Sequence, residues 1–342
     1  MNSKVLSIII PTYNMEKYLR HCLSSLVVSE ELMKTLEVLV INDGSKDSSS
    51  AIGHEFEDKY PETFKVIDKP NGNYGSCVNR GIQEATGKYV KVLDADDSFN
   101  NNSFEEFLSK LKDCNEDLII TDYDFVDVNG TIFKRESYPF HKEQAMDIDS
   151  ICATTSFKSI QMHALTYRLQ LIKDMKYHQT EGISYTDQEW IFLPMTGVKK
   201  VAYLPIELYL YLRGREGQTM DLKVINKSLS HYFKIINNRL DELNRRKIKV
   251  SDNMEKYMYH KTMLLATFIY RAVLIRRAYP LAELVKLDDK IHSLDPKLFD
   301  MLSNERMKGL GLKYICYFRK HHSYVPPIIT KIYNILWRIS KK

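Results

Sequence analysis

The chain has 342 residues, of which 44% are apolar and 27% charged, a balance typical of a globular protein rather than a disordered or fibrous one. This length predicts two domains or one large one. The formal net charge is +5, but residues 301–342 contain nine lysines and arginines against one acid, so the basic excess lies in the tail and the body is close to neutral.

The cysteines and the apolar segments exclude two further classes. The five cysteines are scattered singly without a C-x-x-C pair, which argues against a disulfide framework or a zinc site and for a reducing compartment. The start, MNSKVLSIIIPTYN, predicts a first strand rather than a signal peptide. The best apolar stretch, residues 263–275, is interrupted by Arg271 and is shorter than the ~20 residues of a membrane-spanning helix. We therefore expect a cytoplasmic protein.

Strand and helix patterns alternate over the first 125 residues. Helical spacing follows the first apolar run, and Asn14 is expected to cap that helix. The alternation predicts an α/β fold with a doubly wound, mainly parallel sheet and helices on both faces. Short apolar runs predict five strands, at Val5–Ile10, Glu37–Ile41, Phe64–Ile67, Tyr89–Leu93 and Leu118–Thr121.

The carboxyl-terminal part has a different pattern. Residues 126–220 are mixed, and from about residue 222 the apolar residues recur at helical spacing. The last stretch, Ile328–Lys342, combines apolar residues with lysines and an arginine and predicts an amphipathic basic helix. These patterns predict a division into residues 1–220 and a helical region, residues 221–342.

Polar and acidic residues stand where three of the predicted strands end. Thr12 lies at the end of the first strand, Asp43 at the end of the second and the cluster Asp94–Asp97 at the end of the fourth. Ligands of doubly wound sheets bind at the carboxyl ends of the strands. We therefore expect these side chains to converge in space.

The cluster suits a divalent cation. Because side chains alternate along an extended segment, Asp94 and Asp96 are expected to point to the same side. Two carboxylates so placed suit Mg²⁺ or Mn²⁺, which also bind the oxygens of a diphosphate. A solvated acidic turn is the alternative, because two acids at this spacing are common.

Four other positions have both a functional and a structural interpretation. Asp43 could accept from a nucleotide base or ribose, or bond its own turn. The loop containing Gly72 leads into a predicted helix, Cys77–Ala85, whose first amides could approach an anion. Asp187 could act as a general base, or favour the start of a helix. Arg215 could bind a diphosphate from a closing loop, or lie in a solvated connection.

In this order, the segments resemble the family 2 glycosyltransferases, which have the GT-A fold. The resemblance is dense over about residues 4–125 and continues in two patches, around Asp187 and at Arg213–Thr219. It rests on six motifs: SIIIPTYN at Ser7–Asn14, NDGS at Asn42–Ser45, NGNYG at Asn71–Gly75, NRG at Asn79–Gly81, ATGKY at Ala85–Tyr89 and LDADD at Leu93–Asp97.

The resemblance implies a function and roles for these positions. Members of the family transfer a sugar with inversion, in one displacement by an acceptor hydroxyl while a metal holds the leaving diphosphate. Asp187 would be the catalytic base, and Asp96 would bind the metal, Mn²⁺ or Mg²⁺. The other positions would bind the nucleotide-sugar donor, usually a UDP-sugar: Pro11, Thr12, Tyr13, Asp43, Gly72, Asn79, Asp94, Ala95, Arg215 and Gln218. Many relatives have an arginine directly before the asparagine that corresponds to Asn79, where this chain has Val78. This difference leaves the preference for base and sugar open.

The resemblance also implies partners. Residues 1–220 would form the catalytic domain, and residues 221–342 would contact the acceptor or a membrane surface. Processive relatives carry transmembrane helices, so addition of a single sugar to a saccharide hydroxyl is expected here, with a lipid-linked saccharide as one option. The basic tail would rest on the inner face of the cell membrane or pack as a terminal helix. These features fit the synthesis of a bacterial capsular or other cell-surface polysaccharide.

Two other classes remain as alternatives. A nucleotidyltransferase usually has a glycine-rich, basic loop after its first strand, where this chain has PTYN. A non-catalytic protein that binds glycan or lipid on a transferase fold is disfavoured by Asp94, Asp96 and Asp187. Nucleic-acid binding lacks any supporting motif.

Overall fold

The structure is a computed structural model that describes residues 4–141, 144–215, 226–246, 249–307 and 309–339. The chain divides into two compact units, Met1–Gln218 and Thr219–Lys342. The first unit contains the strands, and the described residues of the second unit form helices and no strand. The five strands predicted from sequence are all present.

The first unit is built on a single sheet of ten strands within the described residues. Its strands are β1 Leu6–Thr12, β2 Leu36–Asn42, β3 Phe64–Asp68, β4 Tyr89–Val92, β5 Ser98–Phe99, β6 Leu118–Val126, β7 Ile132–Glu136, β8 Met146–Asp147, β9 Leu165–Arg168 and β10 Lys200–Leu212. Its helices are α1 Glu16–Ser24, α2 Glu30–Met33, α3 Ser49–Lys59, α4 Asn73–Glu84, α5 Asn101–Leu111, α6 Ile148–Ile151, α7 Thr155–Lys158, α8 Leu169–Asp174 and α9 Asp187–Trp190.

The strand order is β3-β2-β1-β4-β9-β6-β10-β5, with β7 paired to β6 and β8 to β10. Strands β3, β2, β1 and β4 are parallel, as are β6 and β10. The predicted α/β fold with a mainly parallel sheet is therefore confirmed. Strand β9 was not predicted, and it runs antiparallel between β4 and β6, so it separates two parallel groups.

The central strands are buried on both sides. All seven residues of β1 are buried, and so are six of the seven in β2. Such continuous apolar strands are expected where helices cover both faces of a parallel sheet. Helix α4 packs closely on β1, because a Cβ atom at Gly81 would lie 2.5 Å from Cγ2 of Ile9. This packing holds the carboxyl ends of the strands in fixed positions.

The expectation for Asn14 was wrong. This residue has a left-handed backbone conformation, with φ of 53°. Its Oδ1 accepts a hydrogen bond from the Lys46 amide at 2.8 Å instead of capping α1. The amide of Glu16 donates to Asp47 instead, and the Glu16 carboxylate accepts from the Ser48 amide. The start of α1 is therefore held by the loop after β2. The preference of asparagine for helix N-caps could not reveal this contact, because it joins residues about 30 positions apart.

The second unit is helical, in agreement with its periodicity. Tyr270 and Arg319 both bond the carboxylate of Asp288 inside it. In the last helix, Ile328, Ile332 and Ile335 remain exposed, although they are apolar. No helix of the described residues is both long and apolar enough to cross a membrane. Its helices are α10 Leu229–Arg246, α11 Asp252–Leu274, α12 Leu281–Leu294, α13 Pro296–Ser303, α14 Tyr314–His321 and α15 Pro327–Ile339.

Candidate active site

The carboxyl ends of three neighbouring strands meet at one edge of the sheet. Thr12 is paired with Asn42 across β1 and β2, and the Asp43 amide donates to the Thr12 carbonyl at 2.8 Å. On the other side of β1, the Leu93 amide donates to the Ile9 carbonyl at 3.0 Å, which places Asp94 just beyond that end. The structure therefore brings the strand-end residues together, as the sequence predicts.

Asp43 is buried and its carboxylate already accepts three hydrogen bonds. The amides of Gly72 and Asn73 donate to it at 2.9 Å each, and the Lys69 ammonium group forms an ion pair with it. The carboxylate thus caps the start of α4, where the helix dipole favours negative charge. Gly72 is required there, because a Cβ atom would lie 2.6 Å from Oγ of Ser76. Asp43 therefore holds the loop before α4, which neither of the two sequence interpretations included.

Asp94 lies in a low-dielectric environment. The Tyr74 hydroxyl donates to its Oδ1 at 2.7 Å. Burial and then the charge of Asp96 raise the pKa of Asp94 to about 7, and the charge of Asp187 acts in the same direction. The acids of two distant segments therefore act on each other electrostatically, which supports a single site.

Asp97 is held more firmly than its neighbours. Its carboxylate accepts from the Tyr209 hydroxyl at 2.6 Å and from the Leu212 amide at 2.7 Å. Burial and the charges of Asp96 and Asp94 raise its pKa well above the usual range. Asp97 thus fixes the acidic turn to β10, a structural task that the D-x-D pattern alone does not show.

Asp96 is paired with Arg215. The guanidinium Nε donates to Oδ2, and both side chains are nearly buried, with 12% and 11% exposed. The same guanidinium lies 5.4 Å from the ring centroid of Tyr18. Arg215 is therefore at the acidic cluster, as expected for a residue that binds a diphosphate, but here it neutralises the predicted metal ligand.

The cluster has a donor set that fits a divalent cation. The ligand atoms of Asp94, Asp97 and His163 all lie within 4.8 Å of one another. The buried Nδ1 of His163 has no hydrogen-bond partner among the described residues. Burial and the nearby Lys91 lower the pKa of this imidazole to about 3, which keeps it neutral. Two mutually repelling carboxylates suit Mn²⁺ or Mg²⁺, and a neutral imidazole beside them favours a transition metal such as Mn²⁺ over Mg²⁺. Asp96 can join them if Arg215 releases it.

Asp187 is the first residue of α9. Its Oδ2 accepts from the Gln188 side-chain amide at 3.1 Å. Burial is the largest cause that raises its pKa, to about 6. A carboxylate with this pKa is ionised at neutral pH and remains a better proton acceptor than an exposed aspartate, which suits a general base.

Asn79 connects α4 to the segment that leads to α9. Its Oδ1 accepts from the Gln179 amide at 2.8 Å, and its side-chain amide donates to the Gln179 carbonyl at 2.9 Å. Glu189 holds the next residue, because its carboxylate accepts from the amide and hydroxyl of Thr180. Gly75 allows this close approach, since a Cβ atom there would lie 2.3 Å from the Thr180 carbonyl oxygen. Asn79 thus positions the Asp187 segment, and its predicted contact with the donor stays a prediction.

The remaining predicted residues are distributed unevenly. Thr12 and Ala95 are buried, while Tyr13, the residue directly after β1, has 46% of its surface exposed. Pro11 is the residue before Thr12 and is paired with Ile41 inside the sheet. Gln218 lies outside the described residues.

Sequence reasoning missed four residues of this site. Tyr74, Lys69 and Tyr209 bond the acids directly, and His163 completes the donor set. Tyr74 and Lys69 lie in or beside the recognised loop and could have been proposed from it. His163 and Tyr209 had no local signal, because β9 and β10 bring them to the cluster through strand pairings between residues more than 40 positions apart.

The fold and this geometry define an α/β protein with an acidic strand-end site suited to a divalent cation and a phosphate-bearing ligand. Residues 7–170, which contain the strand-end acids and His163, match the family model for glycosyl transferase family 2. These residues therefore form a domain of that family, and the resemblance inferred from its motifs is confirmed.

Curated relatives match parts of the chain that differ in length. An uncharacterized glycosyltransferase of Mycoplasma pneumoniae is 41% identical over 101 residues, which are 29% of this chain and 33% of that protein. The poly(ribitol-phosphate) β-N-acetylglucosaminyltransferase TarS of Staphylococcus aureus is 24% identical over 289 residues, which are 83% of this chain and 47% of TarS. The chain thus spans less than half of the length of either relative.

A solved structure confirms the fold over nearly the whole chain. The crystal structure of residues 1–349 of S. aureus TarS in complex with UDP-GlcNAc has a TM-score of 0.63. It is 19% identical, and the similarity covers 94% of this chain and 93% of that one. At this identity the likeness extends to the fold alone.

Proposed function

We propose that this protein is an inverting, metal-dependent glycosyltransferase that moves one sugar from a UDP-sugar to a hydroxyl of a saccharide acceptor. The observation that carries the proposal is the cluster of Asp94, Asp97 and His163, whose ligand atoms lie within 4.8 Å of one another, at the strand-end edge of a family 2 domain. TarS, which is similar over 83% of this chain, is named as an N-acetylglucosaminyltransferase, and residues 1–349 of TarS were solved in complex with UDP-GlcNAc. An N-acetylhexosamine or hexose is the corresponding donor sugar.

The residues divide the work between donor and acceptor. Asp96, with Asp94, Asp97 and His163 around it, would hold Mn²⁺ or Mg²⁺. A cation bound there supplies charge that neutralises the leaving diphosphate. Arg215 would turn from Asp96 to the diphosphate, where its planar guanidinium can bond two oxygens.

Asp187 would accept the proton of the attacking hydroxyl. Its pKa of about 6 keeps it ionised at neutral pH, and the buried surroundings strengthen its pull on the proton. Inversion requires that this base lie on the face of the sugar opposite the diphosphate, so that the bond to the acceptor oxygen forms there while the bond to the diphosphate breaks on the other face.

We also propose a location and a biological context. Exposed Ile328, Ile332 and Ile335 lie at intervals of four and three residues on α15, and Lys331 beside them is exposed as well. An apolar stripe with basic neighbours suits the anionic inner face of a bacterial membrane, where lipid-linked saccharide acceptors are displayed. Synthesis of a cell-surface polysaccharide is the corresponding process. Sedimentation with anionic and with neutral vesicles tests it. Wild type should bind the anionic vesicles more tightly, and Ile332→Ser, which removes apolar contact area, should weaken binding to both.

Calorimetric titration of UDP tests the donor site. Wild type should bind UDP with Mn²⁺ and lose most of this affinity in excess EDTA. Asp96→Asn and His163→Ala should each weaken Mn²⁺-dependent binding, while Asp187→Asn should leave it unchanged and lower turnover by orders of magnitude. Equal UDP affinity with and without metal would remove the metal assignment. The anomeric configuration of the product, read by NMR, decides inversion.

A further inference from the structure

One exposed aromatic ring on β7 has no structural role in the core. Phe133 on β7 has 59% of its surface exposed. Single exposed apolar residues are ordinary on a protein surface, so the rings beside Phe133 decide whether its exposure has a meaning. Its ring lies 6.0 Å from that of Phe125 on β6, so it is the outer end of a series of rings rather than an isolated side chain.

The series is continuous from the surface to the acids. Phe125 lies 5.4 Å from Tyr211, Tyr211 stacks on His163 at 4.2 Å, and His163 meets Tyr209 at 4.8 Å, all between ring centroids. The hydroxyl of Tyr209 donates to the acidic cluster. We call Phe133, Phe125, Tyr211 and Tyr209 the aromatic row.

The pleat places the row on the face of the sheet that carries the acids. Side chains two residues apart share a face, so Tyr211 lies on the same side as Tyr209. Tyr211 is paired with Phe125 across β10 and β6, which puts that ring on the same face. Exposure rises along the row from buried Tyr209 through half-buried Tyr211 and Phe125 to exposed Phe133.

A β-bulge turns Phe133 to this face. Phe125 is paired with Lys134 and Val126 with Ile132, so Phe133 is the extra residue between two consecutive pairs. Bulges re-aim side chains and occur often beside active sites. Ile132 is paired with Val126, which alternates away from Phe125, and therefore lies on the opposite face.

Polar groups surround the row. The Lys134 ammonium lies 4.7 Å from the Phe125 ring centroid and pairs with Glu136 at 2.7 Å. The Arg213 guanidinium lies 5.3 Å from the ring of Tyr211. Aromatic rings flanked by a few positively and negatively charged hydrogen-bonding groups are typical of a site for a small polar ligand with an apolar face.

From this arrangement we propose that the aromatic row is the saccharide acceptor subsite, with Phe133 as the outer stacking platform. A pyranose presents a face of C–H groups to an aromatic ring, and its hydroxyl groups can bond Arg213, Lys134 and Glu136. The row leads a sugar chain from the surface toward the acidic cluster. The inference rests on the proposed function for the identity of its ligand, and it adds the place where that ligand binds.

Saturation-transfer NMR on the full chain tests the subsite. The probes are the methyl β-glycosides of glucose, galactose and N-acetylglucosamine at millimolar concentration, with and without UDP and Mn²⁺. We expect saturation on the ring C–H groups of at least one probe. Phe133→Ala should weaken its binding by about fivefold, the usual effect of one aromatic contact, and Phe133→Tyr should restore it.

Ile132→Ala is the matched control, because it removes an exposed apolar side chain from the same strand on the opposite face. It should leave glycoside binding unchanged, and none of the three variants should change UDP affinity. Equal glycoside affinity in Phe133→Ala and wild type would overturn the inference, and so would the absence of binding by any probe. UDP titration of wild type tests the proposed function separately. If UDP does not bind, the glycoside binding measured without UDP still tests the subsite.

Discussion

Replacing Asp187 with asparagine should abolish activity and stabilise the protein at neutral pH. The pKa of Asp187 is raised from 3.8 to about 6, chiefly by burial. In the unfolded chain this carboxyl ionises near its ordinary value, so between these two pKa values the unfolded state binds fewer protons than the folded state. Stability therefore falls as the pH rises from about 4 to about 6 and stays lower above it.

The magnitude follows from the shift. About two pKa units correspond to about 3 kcal/mol, which is the upper limit because the side chain retains some solvent contact. Asparagine is never ionised and avoids this loss. We expect Asp187→Asn to unfold with a free energy up to about 3 kcal/mol higher than wild type at pH 8, and up to about 1 kcal/mol higher at pH 4.5, where the wild-type carboxyl is ionised in the unfolded chain but mostly protonated in the folded one.

The assay can be read locally. Trp190 is buried in α9, three residues from Asp187, and the only other tryptophan is Trp337 in the second unit. Urea unfolding followed by fluorescence in a Trp337→Phe background therefore reports on the surroundings of Asp187. A variant no more stable than wild type at pH 8, or one that retains turnover, would refute the reasoning.

A neighbouring acid provides the control. Glu189 accepts hydrogen bonds from the amide and the hydroxyl of Thr180, so its charge is compensated by donors. Glu189→Gln should lose about 1–3 kcal/mol at both pH values, because it weakens bonds that hold the segment in place. The opposite signs expected for two acids of one helix separate a catalytic carboxylate from a structural one.

Four further predictions concern the site. The value of kcat/KM should rise about tenfold per pH unit below pH 6 and level off above it, because Asp187 must be ionised, and a profile flat to pH 5 would exclude it as the base. Asp96→Asn should abolish transfer while the circular dichroism spectrum stays native, and near-normal turnover would contradict its role. Asn79→Ala should lower the free energy of unfolding in urea by about 2–4 kcal/mol, because it leaves the buried hydrogen bonds to residue 179 unmade. Gly75→Ala should fail to fold normally, because its Cβ atom would overlap the Thr180 carbonyl oxygen.

The sequence was informative where structure is local. The parallel strands are continuous apolar runs, and their ends carry turn residues, so β1 and β2 were predicted within two residues of their bounds. The convergence of Thr12, Asp43 and Asp94 followed from strand direction alone. These features depend on periodicity and on the rule that parallel strands end at the same edge.

The sequence was uninformative where long-range pairing decides. Strand β9 is four residues long, and nothing local indicates that it pairs antiparallel with β4 and β6. That insertion and the long strand β10 bring His163 and Tyr209 to the acids. The capping of α4 by Asp43 likewise joins residues 29 or more positions apart, which is beyond the reach of turn rules.

The pairing of Asp96 with Arg215 is compatible with roles for both in binding the donor. Two nearly buried charges must each be compensated, and removing one partner leaves the other at a cost of several kcal/mol. A nucleotide diphosphate that arrives with a divalent cation offers a replacement to each, because the diphosphate can pair with Arg215 and the cation with Asp96. The exchange keeps every charge compensated, whereas diphosphate alone would leave the carboxylate unpaired beside two other acids. Donor binding without metal should therefore be weak for two reasons: the charge of the diphosphate is not neutralised by a cation, and Asp96 loses its partner Arg215.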